Sequence, residues 1–358
     1  MGVLYMAFLD GSIFLAGVAT IAYFWYAYSQ YTSSQQASSS KHKGNKRTLA
    51  SRSLTVKSVS PAGRFLHTMA GYMAHQSSQV QQIQLRGGAV AIDRDFEVAD
   101  VNLPVTIETQ AIGQLGSVLT WLAAFTLIMT MFVRTAITHH APWVNLYEAS
   151  IALSAFVTVA YIFFEMRYHT RALGVFVNGI SFLLLLFALW VGAAFNQAEP
   201  LEFHQITPAL QDNPILSIHV SMMIVSYAFF IVAFACGVLM LVQGEGKARF
   251  AWLPGYDAAD ELGYRAVTIG FPVLALGIIL GAWWANYAWG HYWSWDPKET
   301  SALITWLVYA IYLHARGLRG WRGQIMGWLL VAGFAATLFT YFGVSFIIPG
   351  LHSYSGVK

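Results

Sequence analysis

Charge is what this chain has least of. Asp, Glu, Lys and Arg make up 10% of its 358 residues, where a soluble globular chain carries about 25%, and that deficit excludes a water-soluble enzyme. The charges present nearly cancel, 20 Lys and Arg against 17 Asp and Glu. No basic surplus is left for a phosphate backbone, so nucleic acid is not a partner. Cysteine is scarcer still. Cys236 stands alone inside an apolar run, which excludes an internal disulfide and a CxxC redox or zinc site; any thiol chemistry must come from a partner or a substrate. What is plentiful is apolar side chain, 57% of residues, and that places the chain in a lipid bilayer.

A spanning helix needs about 20 mostly apolar residues. Eight runs qualify, at about 11–28, 112–133, 148–165, 172–194, 215–242, 266–286, 300–315 and 324–347, so the expected fold is an all-α integral membrane protein. The first run has no basic n-region and continues through Trp25 and Tyr26 without a small-residue cleavage site, so it reads as a helix and not as a signal peptide. Residues 29–111 begin rich in Ser, Gln and Lys, with Lys41, Lys43, Lys46, Arg47, Arg52 and Lys57 in one run; a polar, basic, disordered cytoplasmic loop is expected there. The organisation is thus a first helix (1–28), that loop, and a seven-helix core (112–358). Basic residues near the spans set orientation. Arg167, Arg171, Lys247, Arg249, Arg265, Arg316, Arg319 and Arg322 fall in alternate loops, which belong on the cytoplasmic side, while the opposite loops and the C-terminal tail hold Arg134, Lys298 and Lys358. Both termini are then expected outside, as is everything from Trp284 to Glu299.

That outer segment, Gly281 to Thr300, reads GAWWANYAWGHYWSWDPKET. Tryptophan and tyrosine favour membrane interfaces anyway, but an anchor needs one or two rings per helix end, not five Trp and two Tyr in 13 residues. The density is better explained by a surface for a flat hydrophobic ligand, built from Trp283, Trp284, Trp289, Tyr292, Trp293 and Trp295, with Asp296, Lys298 and Glu299 as polar groups at its edge. Asp296-Pro297 also suits a helix entry, with Asp as cap and Glu299 near the third position. His219 lies at the outer end of the fifth span and His352 just beyond the last. A lone interfacial histidine is ordinarily a solvated or structural residue, but two level with an aromatic platform point to axial ligation of haem iron.

His314 follows Glu299 by fifteen residues, which sets it ~22 Å deeper, near the cytoplasmic end of the seventh span. Two readings of it stand, an intramembrane functional group and a snorkelling or capping histidine beside Arg316. His139, His140, His204 and His291 have ordinary loop explanations. Pro142 to Glu148 reads as a structural helix entry capped by Asn145.

The stretch Trp289-Gly290-His291-Tyr292-Trp293-Ser294-Trp295-Asp296-Pro297-Lys298-Glu299 resembles the WWD signature of haem-handling proteins. Flanking text narrows the resemblance to the CcsA family of System II cytochrome c biogenesis: Asn145-Leu146-Tyr147-Glu148, Asn196 to Pro200, Ile218-His219-Val220, Ser226-Tyr227-Ala228, Tyr312 to Arg316, and the ending Gly350-Leu351-His352-Ser353-Tyr354. It covers about 112–358. The resemblance implies an external haem surface at the WWD segment, His219 and His352 as the pair ligating haem b iron from opposite faces, and His314 as a membrane-embedded haem ligand. It also implies a CcsB/ResB-type membrane subunit and an apocytochrome c (CxxCH) as partners, with this chain the subunit of a cytochrome c haem lyase active only with that partner. The chain would sit in a bacterial plasma membrane or a thylakoid membrane. Ser301 stands where the family pattern has Trp, Trp143 and Ala149 replace commoner Ser residues, and the 29–111 loop is longer than the family usually needs.

Two other readings compete. A haem transporter would deliver haem through His314 without performing ligation. The System I relatives CcmC and CcmF share the WWD stretch, but are expected to lack the Gly350–Tyr354 ending. An ion or solute carrier is disfavoured, because its pathway would need charged residues within spans that carry very few.

Overall fold

The structure is a computed structural model that describes residues 2–51, 107–198, 214–246, 249–250, 253–318, 320–348 and 350. Among them there are helices and no strands. In chain order they are α1 (Gly2–Ser51), α2 (Ile107–Thr138), α3 (Leu146–Tyr168), a 3-10 turn (Arg171–Leu173) leading into α4 (Gly174–Ala194), α5 (Pro214–Gln243), α6 (Tyr256–Trp289), α7 (Pro297–Gly317) and α8 (Gln324–Leu338). A π-helical turn (Phe339–Gly343) carries α8 into the last short helix, α9 (Val344–Ile347). Six of the eight expected runs fall inside one helix each, while 172–194 begins in the 3-10 turn ahead of α4 and 324–347 runs through α8, the π turn and α9. Among the described residues seven spans are long and apolar enough to cross a membrane, α8 and α9 forming one of them. The remaining helix, α7, has 21 residues, about 31 Å of rise, but Thr, Tyr, His314 and Arg316 dilute its apolar character. The protein is a multi-pass membrane protein.

Two compact units divide the chain, Met1–Ser34 with Val98–Lys358, and Gln35–Glu97. Of the second, the described part is the continuation of α1. That helix runs beyond the expected limit of 28 to Ser51. Its Ser, Gln, Ala and Lys residues include no proline, and only Gly44 interrupts them; Ala, Gln and Lys are good helix formers. Residues 52–106 lie outside the described residues.

Helices α3, α5, α6, α7 and α8 share one core. Phe230 stacks on Tyr309 with ring centres 3.8 Å apart, and Phe234 on Phe334 at 4.3 Å, so flat ring contacts join α5 to α7 and to α8. Helices α1 to α4 form a second cluster around Leu9, Leu127, Ile151 and Leu185. Between α3 and α4 the hydroxyls of Ser154, Thr158 and Ser181 satisfy one another at 2.6 and 3.0 Å. Lipid offers polar groups no partner, so such internal pairing is required.

Charges collect at the two ends of the bundle. At one end Arg316 donates to Asp260 at 2.9 Å and to Glu261 at 3.0 Å and lies under the Tyr264 ring. Arg265 donates to the Tyr168 hydroxyl at 2.9 Å, and Glu245 accepts from the Gln324 amide at 2.9 Å. The loops after α3, α5 and α7 therefore meet at one end, together with Arg167, Arg171, Arg265, Arg316 and Arg322; Lys247 and Arg319 lie outside the described residues. At the other end Arg134 Nε donates to Glu148 at 2.8 Å and its Nη1 to the Ala198 carbonyl at 2.7 Å, while Tyr5 and Tyr147 share a 2.7 Å hydroxyl contact.

Both side chains of the Arg134–Glu148 pair are almost fully buried. Removing one partner strands the other charge, so Glu148→Ala is expected to destabilise the folded protein by about 3–5 kcal/mol. The matched double replacement Arg134→Met with Glu148→Leu should recover most of that loss. Denaturant melts of the detergent-solubilised protein would test both; equal melts for Glu148→Ala and the double variant would count against a stranded charge.

Candidate functional site

At the end of the bundle that holds Arg134 and the 290–296 loop, a cavity opens between α3, α5, α6, α7 and the π turn. It holds about 1150 Å³ of empty space, the open solvent at its mouth included. Its walls are mostly apolar: Trp143, Leu146 and Ala149 from the start of α3, Leu216, Val220 and Met223 from α5, Ile278 and Ala282 from α6, and Trp293 from the loop. Tyr227 and Tyr341 line it as well, meeting edge to face at 6.3 Å, and Tyr341 is held by a 3.1 Å contact to Ser150 Oγ. The π turn supplies Thr340 and Tyr341. Such extra-residue turns are often found at functional sites because they re-aim side chains within a helix.

His219 lies in the cavity wall on the second turn of α5. Its Nδ1 is 2.7 Å from the Gly277 carbonyl of α6. A carbonyl only accepts, so Nδ1 carries the proton and the lone pair of the neutral ring resides on Nε2. This is the second-shell arrangement that orients a metal-binding imidazole and raises its basicity. The ring can lie so close because α6 presents glycine: a Cβ on Gly281 would stand 2.6 Å from His219 Cε1 and 2.8 Å from Nδ1, and one on Gly277 would stand 2.8 Å from Met223 Sδ. Gly277-Ile278-Ile279-Leu280-Gly281 is a GxxxG spacing, the small-residue pattern that permits close helix approach in membranes.

The 290–296 loop is tied down at both ends. Gly290 ends α6 in the left-handed region at φ 80°, a conformation glycine adopts without steric cost. At the other end Asp296 caps α7 and Pro297 opens it, with a reciprocal capping box to Glu299. Glu299 Oε2 accepts from the Ser294 amide at 2.8 Å, Ser294 Oγ at 3.1 Å and the Asp296 amide at 3.2 Å, which folds the loop back on the helix that follows it. Trp295 holds a left-handed backbone at φ 61°, uncommon for a bulky residue, and its carbonyl accepts from Thr300 Oγ1 at 3.2 Å.

The aromatic residues of the outer segment divide three ways. Trp293 lines the cavity and meets Trp295 edge on at 5.7 Å. Trp283, Tyr292 and Trp295 are more than half exposed. Trp284 is buried and packs edge on against the half-buried Trp289 at 4.8 Å. One surface therefore does not carry all the rings; α6 turns successive tryptophans to opposite sides, and one of them is core. Asp296 is buried at the cap, and Gly350 packs against it, the space for a Cβ there being 2.5 Å from Asp296 Oδ1. His352 lies outside the described residues, as does His204. His314 is exposed on the face of α7 that also carries Ile304, Leu307 and Ile311, remote from the cavity lining. His291 is exposed and does not line the cavity. Asn145 caps α3 by accepting from the Glu148 amide at 2.8 Å, as the sequence suggests, but it also lines the cavity beside Trp143.

The burial of Lys298, at the cavity edge, pushes its ammonium down to about 8 against the opposing pull of Asp296. Sequence reasoning singled out neither Trp143, Tyr227 and Tyr341 nor the two glycines as functional. Only the glycines left a readable signal, their GxxxG spacing. Two of the three departures from the family pattern, Trp143 and Ala149, stand in the cavity wall.

Fold and site together define a polytopic helical membrane protein with a histidine-bearing, aromatic-walled cavity at one end. Residues 143–352 match the family described as cytochrome C assembly protein, and the chain belongs to that family. Among curated relatives, the cytochrome c biogenesis protein CcsA of Chlamydomonas reinhardtii is 40% identical over 237 residues, 64% of this chain and 65% of that protein. CcsA of Guillardia theta is 36% identical over 257 residues, 66% of this chain and 83% of the relative, and CcsA of Synechococcus elongatus 34% identical over 292, 68% and 87%. The alignment thus takes in slightly less than two thirds of the Chlamydomonas protein. These relatives agree with the resemblance carried by the WWD stretch and its flanking motifs.

Gly281→Ala is expected to force the His219 ring away from the Gly277 carbonyl and to cost about 1–3 kcal/mol by overpacking. A thermal melt in detergent, with 15N chemical shifts of the His219 imidazole, would check it. A wild-type melt together with an unchanged Nδ1 resonance would mean that the glycine does not set the ring position.

Proposed function

We propose that this chain holds haem b at the outer face of the membrane and, with a CcsB/ResB-type membrane subunit, presents it to apocytochrome c for covalent attachment. The observation that carries this reading is the His219 imidazole, its Nδ1 held by the Gly277 carbonyl, in the wall of an aromatic cavity beside the WWD loop. His352 is the second axial ligand in this reading. Gly350, two residues before it, lies against Asp296.

In this role His219 and His352 bind iron from opposite faces and keep oxygen off the metal, and Trp143 and Trp293 pack against the ring. Trp283, Trp289, Tyr292 and Trp295 widen the apolar rim, while Trp284 and Asp296 act from beneath, by packing and capping. Each CxxCH thiol of the apocytochrome adds across a haem vinyl: sulfur bonds to the inner carbon and the thiol proton ends on the terminal carbon. Nothing leaves and no electron is transferred. The chain contributes by positioning, which supplies a large share of a barrier when two partners are held in reactive geometry. His314, on an otherwise apolar outward face of α7, suits a haem site completed by a ligand of the partner subunit.

Co-expression with the partner subunit and an apocytochrome c tests the reading. His219→Ala and His352→Ala should each abolish covalent haem, and unchanged yield for either would remove that residue as an axial ligand. His314→Ala should lose haem in transit, with attachment restored by exogenous haem; a pure transporter would instead keep ligation when His219 is replaced. Orientation is checked by thiol labelling, since the natural Cys236 is buried. A cysteine at Tyr292 should label from the outer face of intact cells or vesicles, and one at Gly246 only after permeabilisation.

A further inference from the structure

Lys298 is the one lysine or arginine among the residues lining the cavity. Its backbone is committed to the start of α7, the amide donating to Asp296 Oδ2 at 3.0 Å and the carbonyl accepting from Ser301 Oγ at 3.2 Å. The first turn is thereby fixed, and Lys298 stands in the lining of the cavity. Among the described residues no carboxylate stands within salt-bridge distance of the ammonium. The two nearest in sequence are occupied elsewhere: Asp296 caps the helix, and Glu299 Oε2 takes three donors from the loop. A cation partly withdrawn from water without a close counter-ion is costly, and the half-buried setting of Lys298 already draws its proton affinity down. An anion entering the cavity would offset that cost.

Resting on the haem reading above, we propose that Lys298 is the carboxylate-recognition group of this cavity, pairing with an acidic substituent on the edge of the flat ligand. The assignment gives the site a direction as well as a plane. Apolar rings and His219 define where the ring lies, but they leave it free to turn about the iron axis. A single cation at the rim selects the orientation in which an acid edge meets Lys298, and so decides which edges face the mouth. A charge-assisted hydrogen bond has the strength to impose such a preference.

The test uses the full chain with its partner subunit in detergent, carrying His314→Ala so that the outer site alone is read, titrated with haem and with haem dimethyl ester by absorption. The unsubstituted Lys298 protein is expected to bind the diacid roughly tenfold or more tightly than the diester. Lys298→Met should lose that preference by weakening the diacid alone, and Lys298→Arg, which keeps the charge, should retain it. Equal binding of diacid and diester by the Lys298 protein, or an undiminished preference in Lys298→Met, would overturn the assignment. His219→Ala separates the two proposals. If it alters the haem spectrum while Lys298→Met leaves the preference intact, only the Lys298 assignment fails; if it leaves the spectrum unchanged, the haem reading fails and Lys298 with it.

Discussion

Inside a bilayer no water is present to take up a stranded amide or charge, and every other feature of this protein follows from that constraint. Backbone groups are satisfied by winding into helices. Hydroxyls within the bundle pair with one another, as Ser154, Thr158 and Ser181 do, and the ionised groups retreat to the helix ends, where Arg134 meets Glu148 and Arg316 meets Asp260. Chemistry that needs polar groups can therefore be built at the two ends or on a face that a partner covers. The cavity is at an end, and His314 is on an exposed, largely apolar face of α7.

At the cavity, precision comes from rigid elements. His219 and Gly277 belong to two long helices packed side by side, and Gly281 lets the imidazole lie against α6 instead of beside it. The loop that carries Trp293 is held by the Gly290 turn and by the Asp296–Glu299 capping box, so even its irregular part is fastened to α6 and α7. Preorganisation of this kind lowers the ordering cost when a large flat ligand binds. The π turn belongs to the same design. One extra residue in α8 brings Thr340 and Tyr341 into the wall while the rest of that helix continues to pack on α5 through Phe334.

Much of this was legible from residues alone. Apolar runs located every helix of the core, because period and length suffice where the surroundings are lipid. Asp296 and Asn145 were legible as caps for an equally local reason: a cap is made with residues two or three positions away. Ranking the tryptophans was not possible in the same way. Trp283 and Trp284 are neighbours in the chain, yet one is exposed and the other buried, since a helix turns consecutive side chains 100° apart and only its packing decides which turns inward. Beyond residue 28 α1 continues to Ser51, in keeping with the helix propensity of its Ala, Gln and Lys residues.

Local pattern also explains why the residues that build the cavity were not singled out. Trp143 reads as part of a helix entry, Tyr227 and Tyr341 as ordinary span aromatics, and Gly277 and Gly281 as packing glycines; their convergence on His219 joins segments up to about 200 positions apart. By itself, then, the sequence determined a membrane-embedded helical bundle, the alternation of its loops, the WWD segment and the capped start of α7, all properties of near neighbours and of solvent. Tertiary structure decided which imidazole nitrogen is tied to the backbone, which tryptophan faces the cavity and where Lys298 comes to lie. Those depend on helix-to-helix approach, which is set by the volumes of side chains far apart in the chain.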